Sequence, residues 1–488
     1  MAASGSAEAV DAMFDALRRG DEAKAVGFID RVTGAADLGL CLLRACETGH
    51  PKCTRLLLAA HAAVDQANSN GSTPLYAACD KGHGDCVQLL LGAHAAVDQA
   101  ASDGTTPLYA ACYKDHGGCV QLLLAAHAAV DQADSNGFTP LIAACNEGHG
   151  GCVQLLLAAH AAVDQANSNG RTPLYAACNK DHGDCVQLLL AAHAAVNKAS
   201  SNGTTPLFAA CYKGHGGCVQ LLLAAHAAVD QADSNGLTPL IAACIKGDCG
   251  CVQLLLAAHA VVEQPGRNGN TPLIYACIDG HGDCVRLLLA AHAAVDQAGS
   301  NGRTPLHHAC NKGHGDIVKL LVLASARTDL RCAAGTALDV AEARGHTVIA
   351  RFLRAAAERA AELAAAALLA EEEAEAAHKQ QAHTKKASKK AKAKQAGASE
   401  ARAPVAIASA AASGSAEADS EVSAAAGDED VVGPAPSAAA DEALRVAMAA
   451  AQYEGLVGAI EEHHALASED VLAEARAMRE RLHKKRKQ

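Results

Sequence analysis

The tripeptide Thr-Pro-Leu begins at Thr73, Thr106, Thr139, Thr172, Thr205, Thr238, Thr271 and Thr304, so one pattern recurs every 33 residues. A period of this size overrides a domain count taken from the length of 488 residues, because each copy is one small unit that must stack on its neighbours to bury its apolar face. The unit from Asn70 to Leu91 reads Asn-Gly-Ser-Thr-Pro-Leu-Tyr-Ala-Ala-Cys-Asp-Lys-Gly-His-Gly-Asp-Cys-Val-Gln-Leu-Leu-Leu. Thr73 is placed to cap a helix, with Pro74 at the first helical position, where a missing N–H costs nothing. Leu75, Ala77, Ala78 and Cys79 give that helix a packing side of small residues, and Gly82 ends it. Cys86, Val87, Leu89, Leu90 and Leu91 supply the apolar face of a second helix. The Asp-Gln-Ala-Asn-Ser-Asn-Gly run between pairs has turn chemistry and predicts a projecting hairpin finger. An aromatic content of 2% suits such a thin core of small side chains.

This unit resembles the ankyrin repeat at nearly every diagnostic position. The resemblance implies an all-α solenoid of helix pairs joined by β-hairpin loops, with a concave groove that usually binds a protein or peptide. Degenerate copies flank the regular ones: Cys41 to Asp65 lacks its Thr-Pro-Leu, and Gly335-Thr336-Ala337-Leu338 with Gly345-His346 makes a shortened last copy. Ala7 to Arg19 and Glu22 to Val32, around Gly20-Asp21, predict a capping helix pair. The expected organisation is a cap over 1–36, a solenoid of about ten repeats over 37–354, and an Ala/Glu/Lys-rich long helix with a basic run over 355–395. A disordered linker over 396–440 and a small helical hairpin with a basic tail over 441–488 complete it.

The formal charge of −12 is spread along the chain and argues against a globally basic nucleic-acid binder. No apolar run reaches the roughly 18 residues of a membrane span, and the first residues carry neither a basic nor an apolar signal region. The expectation is a soluble, unexported protein of the cytoplasm or nucleus. The 20 cysteines are then read as reduced thiols rather than a disulfide framework.

The regular copies differ from one another at few positions. Those just before the Thr read Ser72, Thr105, Phe138, Arg171, Thr204, Leu237, Asn270 and Arg303; those just after the first-helix cysteine read Asp80, Tyr113, Asn146, Asn179, Tyr212, Ile245, Ile278 and Asn311. By the resemblance, these places line the groove. Two candidate partner patches follow, one of Tyr113, Phe138, Asn146 and Arg171, the other of Tyr212, Leu237, Ile245 and Ile278, with Arg303 beyond them. Aromatic and apolar side chains on a Ser, Asn and Gly surface are the composition of interface anchors. The competing reading is drift among duplicated copies, with these residues packing between repeats.

The spacing Cys79-x-x-x-His83-x-x-Cys86, repeated in most copies, imitates a metal motif. Both cysteines stand where the ankyrin pattern has small or aliphatic residues, so burial is expected, and equivalent residues of neighbouring repeats lie roughly 10 Å apart, too far to share an ion. Cys249 breaks the pattern, since Gly-Asp-Cys-Gly-Cys replaces Gly-His-Gly-Asp-Cys, which allows it to be exposed; one irregular thiol is not evidence of redox function. A second column, His61, His94, His127, His160, His193, His226, His259 and His292, stands where the family usually has Gly after the second helix, which implies a strained cap at positive φ. A pH-sensitive row is the alternative reading of that column. No catalytic arrangement, cofactor motif or phosphate loop stands out.

Lys385, Lys386, Lys389 and Lys390, with Lys484, Lys485, Arg486 and Lys487 at the end, form basic segments suited to a solvated face, nuclear import or backbone contact with nucleic acid. The sequence therefore reads as a non-enzymatic scaffold or adaptor that binds a protein partner in its groove. A second partner, or self-association, is assigned to the C-terminal helices. The alternative is a nuclear or chromatin-associated factor that contacts nucleic acid through its lysine-rich C-terminal segments.

Overall fold

The computed structural model describes residues 2–363, 365, 366, 368–370 and 477, with side chains from residue 7 onward. Each regular copy folds as the sequence requires. In the first of them, helix Pro74–Lys81 is capped by Thr73, whose Oγ1 accepts from the Tyr76 N–H at 3.1 Å, and Gly82 closes it at φ 73°. Helix Gly84–Gly92 then runs back, with Cys86, Val87 and Leu90 buried. The same Thr cap and Pro start recur through helix Pro305–Lys312. Where Gly is replaced after the first helix, Asp115 and Asp181 take the same left-handed turn at φ 61° and 66°, a conformation Asp tolerates better than most residues.

The fingers between pairs are held by turn hydrogen bonds. Asn68 Oδ1 accepts from the N–H groups of Asn70 and Ser72, and the Asn68 N–H donates to the Ser72 carbonyl at 3.0 Å. Neighbouring fingers join tip to tip, as where the Ser102 N–H donates to the Asn70 carbonyl at 2.9 Å. Among the described residues, a strand pair is formed only in the last finger, where Arg331–Cys332 runs antiparallel to Gly335–Thr336. The regular fingers are one residue longer and are closed by side-chain turn bonds instead, as at Asn68.

One continuous core runs through the array, from Met13 and Leu42 to Val340 and Leu353. First helices pack on first helices and second on second, the first set more closely.

The N-terminal end departs from the sequence reading. The cap consists of helix Ala2–Arg18, a short helix Glu22–Val26 and a single 3-10 turn Ile29–Arg31. Its second helix stops early because Gly27 follows, and Glu22 Oε1 instead accepts from the N–H groups of Lys52 and Cys53 at 2.9 and 3.2 Å, capping helix Pro51–Ala59. The first stacked helix, Ala35–Thr48, begins before the expected boundary at 37. At the other end the expectation holds: the stretch from Thr347 has no Gly or Pro to stop it, and the final helix runs on past 354, through 347–363. Ile349, Ala350 and Leu353 bury against the last repeat, and Leu363, Leu368 and Leu369 are exposed. The expected linker, the helical hairpin apart from Ala477, and all the named basic segments from Lys385 to Lys487 lie outside the described residues.

Candidate interaction surface

The Thr cap fixes the rotation of every first helix, so the residue after its cysteine occupies the same place in each copy. At that place Tyr113 and Tyr212 are 41% and 47% exposed. Each ring stacks on an aromatic ring one turn earlier: Tyr113 on Tyr109 at 6.3 Å between centroids, Tyr212 on Phe208 at 6.2 Å. A lysine ammonium lies over each ring as well, Lys114 at 5.0 Å and Lys213 at 5.9 Å. Stacking restricts the rotamers of these side chains before any partner arrives, which lowers the entropy cost of contact.

The other predicted residues are placed less freely. Phe138 and Leu237 sit in fingers, half-buried against the core. Leu237 Cδ2 lies over Gly266 of the next finger, where a Cβ would stand only 3.1 Å away. Ile245 and Ile278 are half-buried on their helices, and Asn146 donates from Nδ2 to Glu147 Oε1 at 2.7 Å. Arg171 turns back over its own repeat's Tyr175 ring at 5.2 Å, and Arg303 lies beside His307 and His308. Tyr113 and Asn146 lie on adjacent first helices, as do Ile245 and Ile278, whose carbonyls each meet a histidine from the repeat after.

Much of the polar pattern holds repeats to one another. His116, His149, His182 and His215 place Nε2 3.1 to 3.3 Å from the carbonyls of Asp80, Tyr113, Asn146 and Asn179. Tyr76 and Tyr175 direct their hydroxyls at Thr105 and Thr204 of the next finger. Their pairing ties them to the array rather than to a partner. Sequence reasoning missed a further column: Asp65, Asp98, Asp131 and Asp164 each accept the N–H of an alanine in the next repeat at 2.8 to 2.9 Å. Asn197, Asp230, Glu263 and Asp296 continue it. Its 33-residue recurrence was visible in the sequence, but a turn-forming Asp looks the same before folding as one that bridges repeats.

The cysteines of the motif-like spacing are buried, and Cys249 is half-exposed. The second histidine column adopts positive φ throughout, from 58° at His127 to 61° at His160, with every imidazole exposed.

A family model described as ankyrin repeats in three copies matches residues 2–101, 93–165, 151–233, 181–265, 217–298 and 291–367. The chain belongs to the ankyrin-repeat family. Among solved structures, the ankyrin-repeat domain of human ASB11 is 30% identical to it, over 44% of this chain and 96% of that one, with a TM-score of 0.41. No curated protein matches the chain. Ankyrin repeats are general protein–protein interaction modules, built as scaffolds rather than catalysts. No helix among the described residues is long and apolar enough to cross a membrane.

Proposed function

We propose that this ankyrin array is an adaptor whose first-helix side binds a protein or peptide, with Tyr113 and Tyr212 as its anchors. The observation that carries the reading is the pair of exposed tyrosines, each pre-stacked on an aromatic ring of its own helix. Tyrosine is enriched at binding hot spots because it brings a large apolar ring with a polar tip. The reading assigns Leu237, Ile245 and Ile278, all half-buried, to the second anchor's patch, and Phe138, Asn146 and Arg171 to the first, with Arg303 beyond them in sequence. The partner contacts are expected along that face, and the basic C-terminal segments are not needed for them.

The test is co-purification with the full-length chain, compared between the parent, Tyr113→Ala, Tyr212→Ala and Leu323→Ala. Leu323 is 80% exposed on a second helix and serves as the control. A partner held by the groove loses about 2 kcal/mol of binding, or roughly 30-fold in Kd, on truncation of either anchor and nothing on truncation of Leu323. An unchanged partner set in both tyrosine variants, with helical circular dichroism intact, would remove the tyrosines from the interface.

A further inference from the structure

The buried cysteines form a row of thiol pairs across the seams between repeats. Cys79 meets Cys119, Cys112 meets Cys152, Cys145 meets Cys185, Cys178 meets Cys218 and Cys211 meets Cys251, each joining a first helix to the second helix of the next repeat. All of these sulfurs are buried.

The next seam breaks the rule. Here Gly247-Asp248-Cys249-Gly250-Cys251 replaces the usual turn, so Asp248 stands where other copies have His and Cys249 where they have Gly. Asp248 caps the helix through the Cys251 N–H at 2.7 Å, and Cys249 becomes the first residue of helix Cys249–Ala257. Cys249 Sγ lies 3.7 Å from Cys284 Sγ of the following repeat, and Cys244 stands close behind Cys284. Cys249 is half-exposed, whereas Cys284 and Cys244 are buried. This cluster alone, among the described seams, combines a near-contact thiol pair with a cysteine that is only partly buried.

We propose that Cys249 and Cys284 form a peroxide-sensitive modification site, whose oxidation to a disulfide staples two adjacent repeats together. The partners already face each other, and bonding requires the sulfurs to close from 3.7 Å to about 2.05 Å. The roles follow from access. Cys249 sulfur attacks one peroxide oxygen; the O–O bond breaks, the first water leaves, and Cys249 becomes a sulfenic acid. Cys284 sulfur then attacks Cys249 Sγ; an S–S bond forms, the S–O bond breaks, and the hydroxyl departs with the Cys284 proton as the second water. Two thiols are oxidised and one hydrogen peroxide is reduced to two waters. Burial first, and then the hydrogen bond to Cys249, push the Cys284 thiol up to about 12, so it carries its proton into the second step and hands it to the departing hydroxyl. The staple lies on the seam where His281 meets the Ile245 carbonyl at 3.1 Å, so it fixes the relative positions of Ile245 and Ile278.

The full-length reduced chain is treated with hydrogen peroxide under native conditions, blocked with N-ethylmaleimide, digested without reductant and analysed by mass spectrometry. The expected product is a peptide pair linked through Cys249 and Cys284, reversed by dithiothreitol and formed before any buried pair reacts. Cys249→Gly installs the residue of the other repeats and loses the link while circular dichroism is unchanged. Cys284→Ala accumulates a dimedone adduct on Cys249. Should Cys284→Ala not fold, the comparison of parent with Cys249→Gly decides alone. Oxidation that spares Cys249, that links the other pairs first, or that carries Cys249 directly to the sulfinic acid in the parent overturns the proposal.

Discussion

A single imidazole after most of the second helices shows how this chain departs from the usual ankyrin pattern, which has Gly there. His160 takes φ 61° and is exposed, so it occupies a left-handed turn without a compensating contact from burial. A non-glycine residue in that region costs roughly 1–2 kcal/mol. His160→Gly is therefore expected to stabilise the array by about 1 kcal/mol, a gain reduced by the greater freedom of glycine in the unfolded chain. His160→Val should destabilise it by more, because a β-branched side chain fits that turn poorly. Urea unfolding of the three proteins checks the order Gly above His above Val; equal midpoints would show that the turn carries no strain. The positive φ of this column was legible in the sequence from the family resemblance. The neighbouring Asp column was not, because a short acidic side chain serves a local turn or a bridge to the next repeat equally well.

Helix Pro305–Lys312 carries two histidines where other copies have uncharged residues. His307 completes a capping box: Nδ1 accepts from the Thr304 N–H at 3.3 Å, and Nε2 donates to the Gly335 carbonyl at 3.2 Å, so the network fits the neutral ring. His308 is 8% exposed, and its Nε2 is buried without a hydrogen-bond partner. Burial, with the charges of Arg303, His307 and Lys312, brings the His308 pKa down from 6.5 to about 4. The unfolded chain then binds the proton first as pH falls. Stability that is full above pH 6.5 declines toward pH 4, by up to about 3 kcal/mol for this group. His307, also lowered chiefly by burial, adds to the loss in the same direction. His308→Ala, which restores the residue of most copies, should flatten the decline measured by urea unfolding at pH 7, 6 and 5; an equally steep decline in that variant would remove His308 from it. The helix itself was fully legible from Thr-Pro-Leu, but its pH response was not, because it depends on which neighbours close over the ring.

Over the whole array, near-identical repeats make stability a matter of position. Each copy touches mainly its neighbours, so the total is close to a sum of repeat and seam contributions. The fold class was readable because the period, the caps and the apolar spacing all agree. The interaction surface was only partly so, since the tethering of Tyr76 depends on a Thr105 hydroxyl in the next finger, which the local sequence does not place. Leu174 is fully buried in a central repeat, with stacked copies on both sides. Leu174→Ala should cost about 2–5 kcal/mol at that site. In a chain of nearest-neighbour couplings, the loss falls on the two seams that the repeat shares. Hydrogen exchange should therefore rise most in the Thr172 repeat, less in those beginning at Thr139 and Thr205, and little at Thr73 or Thr304. The same change at Leu306 has one short, atypical neighbour, so it should fray the C-terminal end without opening the middle. A uniform rise in exchange along residues 35–350 for both variants would mean that the array unfolds as one unit, and seams as similar as these would then be too strong to let any repeat open alone.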